Sequence, residues 1–121
     1  MMPEDYFTFS VRYPLFSKAR PRLTKSGHAY MPAKYKTHQM NLRHHIRLAW
    51  PHQPLDVPLL LRLDLKGEGR GDVDNIAGAF MDCANELIWT DDNCKIVSEL
   101  SVRWEPAPKP ESTWKVEIYL L

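Results

Sequence analysis

The chain is poor in several features that would place it quickly. It has only two cysteines, Cys83 and Cys94, in 121 residues. Two thiols build neither a disulfide framework nor a four-thiolate zinc site. No apolar run nears the ~20 residues of a membrane-spanning helix. The start, MMPEDYFTF, lacks the basic and apolar regions of a secretory leader, so a cytoplasmic protein with no membrane partner is expected. There are five glycines, and none belongs to a G-x-x-x-x-G-K-[ST] phosphate loop. The most telling absence is of acid: from Tyr6 to Leu55 there is no Asp or Glu.

That gap reverses the first impression left by a net charge of +1. Residues 1–55 hold nine Lys/Arg against two acids, a net of +7, together with all five histidines. Residues 56–121 hold seven against thirteen, a net of −6. A basic half is joined to an acidic half, and a polyanion is the natural ligand of the first. Lys18, Arg20, Arg22, Lys25, Lys34 and Lys36 read as phosphate contacts within a basic segment spanning 12–50, with Tyr30 and Tyr35 as sugar or base neighbours.

The length and the 44% hydrophobic content suit one compact domain over 1–121 with a real core. Phe7, Phe9, Val11 and Tyr13 alternate with polar residues, which predicts a half-buried strand. A Ser26-Gly27 turn predicts two short strands, Arg22–Lys25 and His28–Met31. Pro32 and Pro51 bracket a first helix, phased by Tyr35, Leu42, Ile46 and Ala49. Val57–Lys66 predicts a buried strand with Leu59, Leu61, Leu63 and Leu65 inward. After the glycine-rich Gly67–Gly71 loop, a second helix is expected from Asp74 to Leu87, with an apolar stripe of Ile76, Phe80, Cys83, Ala84, Leu87 and Ile88. Ile96–Trp104 and Thr113–Leu121 alternate and are expected to pair as a hairpin. The fold class is α/β (α+β): a mixed β-sheet with two main helices packed on it.

The chemistry is expected in an acidic region spanning 66–96. Asp72 and Asp74 stand at the joint between a buried strand and a helix, where Asp74 suits the N-cap. Asp91 and Asp92 follow the same helix. If the strand after it pairs beside the strand before it, the two acidic pairs could approach one another. Close carboxylates repel by about 4 kcal/mol per pair at an effective dielectric of 20. A hard cation removes that cost, and oxygen-only ligands select Mg²⁺ or Mn²⁺. Such a site can activate water and steady a leaving oxygen. Rival readings fail on spacing. An EF-hand loop opening at Asp72 would need Gly at Ala77 and Glu at Cys83. Gly67-x-Gly69-x-Gly71 is not a dinucleotide loop.

Three segments together resemble the RusA family of Holliday junction resolvases. They are Lys18-Ala-Arg-Pro-Arg-Leu-Thr through Gly27-His-Ala-Tyr30-Met-Pro32, then Gly71-Asp-Val-Asp-Asn75 leading to Phe80-Met-Asp82, then Trp89-Thr-Asp91-Asp92 with Ile96. The resemblance covers most of the chain. It implies a RusA-like single domain and a homodimeric, Mg²⁺-dependent endonuclease that cuts four-way DNA junctions by paired symmetric nicks, with no small-molecule cofactor. It also implies that Asp72, Asp74 and Asp92 are the catalytic, metal-binding carboxylates, with Asp91 supporting Asp92. The family pattern D-x-D-N-x-x-K carries a lysine where this chain has Gly78. Lys18, Arg20, Lys66, Arg70 and Lys95 are candidates to replace that cation, and Arg70 also joins the expected DNA contacts. Alternatively, Gly78 marks a junction-binding module with weakened catalysis, or a nuclease for flaps or single strands.

Other residues carry less. His44-His45 reads as a helix surface feature, Cys83 as core, and Cys94 as a packing residue. Phe16 is either a core anchor or a wedge for a junction centre. Trp50, Trp89, Trp104 and Trp114 read as core and dimer interface.

Overall fold

A computed structural model describes residues 5–69 and 71–121. The elements run β1 (Tyr6–Arg12), β2 (Arg22–Leu23), β3 (Ala29–Tyr30), α1 (Ala33–Ala49), β4 (Leu59–Gly67), α2 (Val73–Ala84), β5 (Val97–Pro106) and β6 (Thr113–Leu120), with a 3₁₀ turn at Lys109–Glu111. β1, β6, β4 and β5 form one mixed sheet in that order, and β2 with β3 forms a separate small hairpin. The expected α+β class holds. Among the described residues, no helix is long and apolar enough to cross a membrane.

The expected hairpin of the last two strands does not form. β4 lies between them, parallel to β5 and antiparallel to β6. Alternation identifies a strand but says nothing about its neighbour. Burial explains the order. β4 sends Leu59, Leu61, Leu63 and Leu65 into the core, each at most 1% exposed, and takes a central position. β5 is mostly exposed along its length and takes an edge. On the outer face of the sheet, opposite charges stand in register: Arg62 with Glu117, Asp64 with Lys115 and Arg103, and Lys66 with Glu105. Only Lys66–Glu105 closes to an ion pair, at 3.4 Å. This face is close to neutral, so the charge asymmetry is expressed elsewhere.

Both helices cover the inner face. α1 buries Tyr35, Leu42 and Ile46; α2 buries Ile76, Ala77, Ala79, Phe80, Cys83 and Ala84. They meet Trp89, Trp114, Val116 and Ile118 in one core. Phe16 belongs to this core too, stacked on His38 at a centroid separation of 5.0 Å. Of its two expected roles it takes the anchor. α2 begins earlier than expected, with Asp72 rather than Asp74 at the N-cap. At its other end the Arg43 guanidinium donates to the carbonyls of Cys83 (2.9 Å) and Asn85 (3.0 Å). One cation of the basic half therefore closes a helix terminus. Burial pushes the Cys83 thiol up to about 12, so it is an inert core group. Cys94 is exposed, not packed.

Candidate active site

β4 ends at Gly67, and the chain turns through Gly69 and Gly71 into α2. Gly71 has φ +83°, and any Cβ there would collide with the Ser17 hydroxyl. Glycine at this position lets the basic segment lie directly on the loop. A backbone bond from the Lys18 amide to the Asn75 carbonyl (2.9 Å) fastens the two together.

Asp72 and Asp74 are both exposed at the start of α2. Asp72 has extended backbone, and its carbonyl accepts from the Asn75 and Ile76 amides at 3.0 and 3.1 Å. Its carboxylate makes no cap hydrogen bond, and it is exposed to a ligand. With Gly69, Gly71, Val73, Ile76 and Trp104, the two aspartates line a cleft of about 390 Å³. Trp104 stands on edge strand β5 and is 38% exposed. Its ring sits where a side chain on Gly69 would be. Periodicity alone made it a core or interface residue; only the parallel β4–β5 pairing brings it to the cleft.

Asp91 and Asp92 lie at the far end of α2. The Asn85 side chain, at the helix C-cap, favours the ionised form of Asp92. Asp91 accepts one from Asn93 at 2.9 Å. Asp92 stands against Asp82, eight residues or about 12 Å along α2 from Asp74, so the helix holds the two acidic pairs apart. The condition set by the sequence is met, since β5 does pair beside β4. A parallel pair, however, starts both strands at the same end, so Asp92 comes to the N-terminal end of β4 while Asp72 lies beyond its C-terminal end. Among the described residues, no three His, Cys, Asp or Glu side chains stand close enough to hold a metal ion together. Carboxylate donors suit a hard cation, but within one chain Asp72/Asp74 and Asp91/Asp92 lie at opposite ends of α2.

Asp92 has a different acidic neighbour, Asp82, in the last turn of α2. Partial burial, then Asp82, then Asp91 hold the Asp92 carboxyl above its usual range. An aspartate whose folded value is raised costs stability when ionised. That cost is absent below the ordinary aspartate range of about 4 and fully present above the raised value. Asp92→Asn should therefore melt higher than the wild type at neutral pH without metal, and the gap should close on acidification. Calorimetry across pH in a chelator checks this, and an equal gap at every pH would refute it.

Lys18 lies across Gly78, its Cδ 3.6 Å from where a Cβ would be, and its amine pairs with Asp82 at 3.2 Å. Among the described candidates for a cation at position 78, this is the one whose side chain covers that position. Lys66 is engaged with Glu105. Arg70 lies outside the described residues. The contact distance is ordinary, so Gly78→Ala should fit and should stabilise by about 1 kcal/mol from helix propensity. Urea unfolding measures it, and a loss of stability would show that the space is not free.

Arg20, Arg22, Lys25, Lys34 and Lys36 are exposed, as is Lys18. None of them except Lys18 is in an ion pair among the described residues. His44 is exposed and His45 rests against the Tyr13 ring.

The endodeoxyribonuclease RusA family model matches residues 13–119. No curated protein matches the chain.

Proposed function

Because the chain belongs to the RusA endodeoxyribonuclease family, we propose that it resolves four-way DNA junctions by paired symmetric nicks in the presence of Mg²⁺. The observation that carries this reading is the exposed Asp72/Asp74 cleft, fastened by Lys18 to a segment of exposed cations with almost no competing acid. Asp72 and Asp74 would hold the cation, with Asp92 as a third ligand and Asp91 supporting it. Mg²⁺ or Mn²⁺ bound there would acidify a water and offset charge on the phosphodiester. The protein's own contribution is positional. Arg20, Arg22, Lys25, Lys34 and Lys36 hold neighbouring phosphates, and Trp104 and the glycine loop shape the cleft.

A homodimer reconciles the two separated acidic pairs. A two-fold axis perpendicular to α2 sets the helices of two copies antiparallel, which brings the Asp72/Asp74 end of one to the Asp91/Asp92 end of the other. The same axis yields two sites, as paired nicking requires. Lys18 over Gly78 supports retained catalysis over a module that only binds.

Labelled junction, duplex and flap DNA, each with and without Mg²⁺, test this reading. Symmetric junction cuts that need the metal are expected. Tight junction binding without product in Mg²⁺ or Mn²⁺ would overturn it, and so would a preference for flaps.

A further inference from the structure

A second and larger cavity, about 530 Å³, borders the same glycine loop as the Asp72/Asp74 cleft. Glu68 lines this cavity, while Gly69 and Gly71 line the cleft. Among the described residues, Arg22, Lys34 and Lys109 bring three cations to it, against one carboxylate, that of Glu68. Lys109 comes from the acidic half of the chain, in the 3₁₀ turn before β6. The N-terminus of α1 also opens here, through Pro32, Lys34 and Tyr35. No acid stands in its first turn and no side chain caps it. The first bond of that turn runs from the Lys36 amide to the Pro32 carbonyl (3.2 Å), so the amides of residues 33–35 precede the helical ladder and favour an anion. The rest of the lining sets apolar Leu15, Phe16 and Ala19 beside the hydroxyl-bearing Ser17 and Ser112.

We infer that this cavity receives a nucleoside monophosphate unit, with the phosphate between Arg22, Lys34, Lys109 and the α1 N-terminus and the base against the wall around Phe16. A bare phosphate would leave most of the volume and the apolar wall unused, whereas small-ligand pockets of ~300–1,000 Å³ combine such walls with a few polar groups. His38, also in the lining, is held below its ordinary value by burial and then by Lys34 and Lys109. It therefore offers a neutral ring edge, with Nδ1 at 2.7 Å from the Tyr13 hydroxyl. The source favoured here is the DNA itself, a choice that rests on the junction-cutting reading. Bases at a branch point are already partly unstacked and cost least to extrude. The cleft proposed to cut the strand borders the same loop.

Two measurements on the full chain test the inference, with junction cleavage followed in the same preparation. In the first, thymidine 5′-monophosphate is titrated while the His38 ring resonances are followed by NMR, with thymidine and inorganic phosphate as controls. Saturable shifts are expected, with each control weaker by about tenfold or more. In the second, 2-aminopurine at the branch of a junction is bound in Ca²⁺, and its fluorescence should rise on binding. Lys109→Glu and the cavity-filling Ala19→Trp should each remove both responses. A response to DNA alone assigns the unit to the strand, and one to the free nucleotide alone assigns it to a soluble ligand. No response in either arm, or responses that survive both variants, would overturn the inference. Because the nucleotide arm does not require cutting, its failure in a preparation that cleaves junctions condemns the cavity and not the nuclease. Its success in one that cleaves nothing does the reverse.

Discussion

Asp74→Asn and Asp92→Asn proteins are each expected to be inactive on junctions, and mixing them is expected to restore nicking. The reason is the 12-residue helix that separates the two acidic pairs. If each site takes Asp72 and Asp74 from one copy and Asp92 from its partner, a mixed dimer has one site with both substitutions and one with neither. Random exchange makes half the dimers mixed, so about a quarter of wild-type sites should return. Loss of either carboxylate alone should cost on the order of 10²–10³ in rate, which makes the recovery easy to see. The restored activity should also be qualitatively different. A mixed dimer cuts one strand, so the product is a nicked junction and not two resolved duplexes. If both acidic pairs serve one site within the same chain, every site in every mixed dimer keeps a substitution and no activity returns. Gel analysis after subunit exchange separates the two outcomes.

Junction affinity should fall steeply with salt. Lys18, Arg20, Arg22, Lys25, Lys34 and Lys36 are all exposed, and only Lys18 has an ion-pair partner among the described residues. Six phosphate contacts predict a slope near −5 for log affinity against log salt, so binding should weaken about a thousandfold between 50 and 200 mM. Replacing Lys25, at the turn of the β2–β3 hairpin, by alanine should make the slope shallower by about one. A slope between 0 and about −2 would mean that these cations do not meet phosphates. The near-neutral outer face of the sheet, with its charges in opposed registers, is not expected to contribute.

Much of this was legible in the chain. The period-2 runs of β1, β4 and β6 and the 3.6-residue stripes of α1 and α2 report burial directly, whereas the alternation of β5 marks a strand that stays mostly exposed. Burial is a local property of which side chains avoid water. Pro32 marked the N-cap of α1 because a residue with fixed φ and no amide hydrogen suits that place. The acid-free stretch appeared as an exposed basic surface for a comparable reason: charges without partners stay in water.

What remained hidden depended on pairing between distant segments. Nothing in the alternation of β5 or β6 could say that β4 would come between them. That one placement carries Trp104 to the Asp72/Asp74 cleft and keeps Asp92 at the opposite end of α2. By sequence, Lys18 is one of five candidate cations for the place at Gly78. The choice came from the close approach of Ser17 to Gly71 and the amide bond from Lys18 to Asn75. Lys109 gave no sign of a role, since its use depends on a turn 75 residues from Lys34 closing onto the same cavity. The sequence by itself determined the elements, the core residues and the division of charge, because each follows from the affinity of individual side chains for water. Only the tertiary structure decided which carboxylates, cations and aromatic rings share a site. That depends on strand order and helix length, through which one helix separates two acidic pairs and one turn, at Lys109, brings the two halves of opposite charge together.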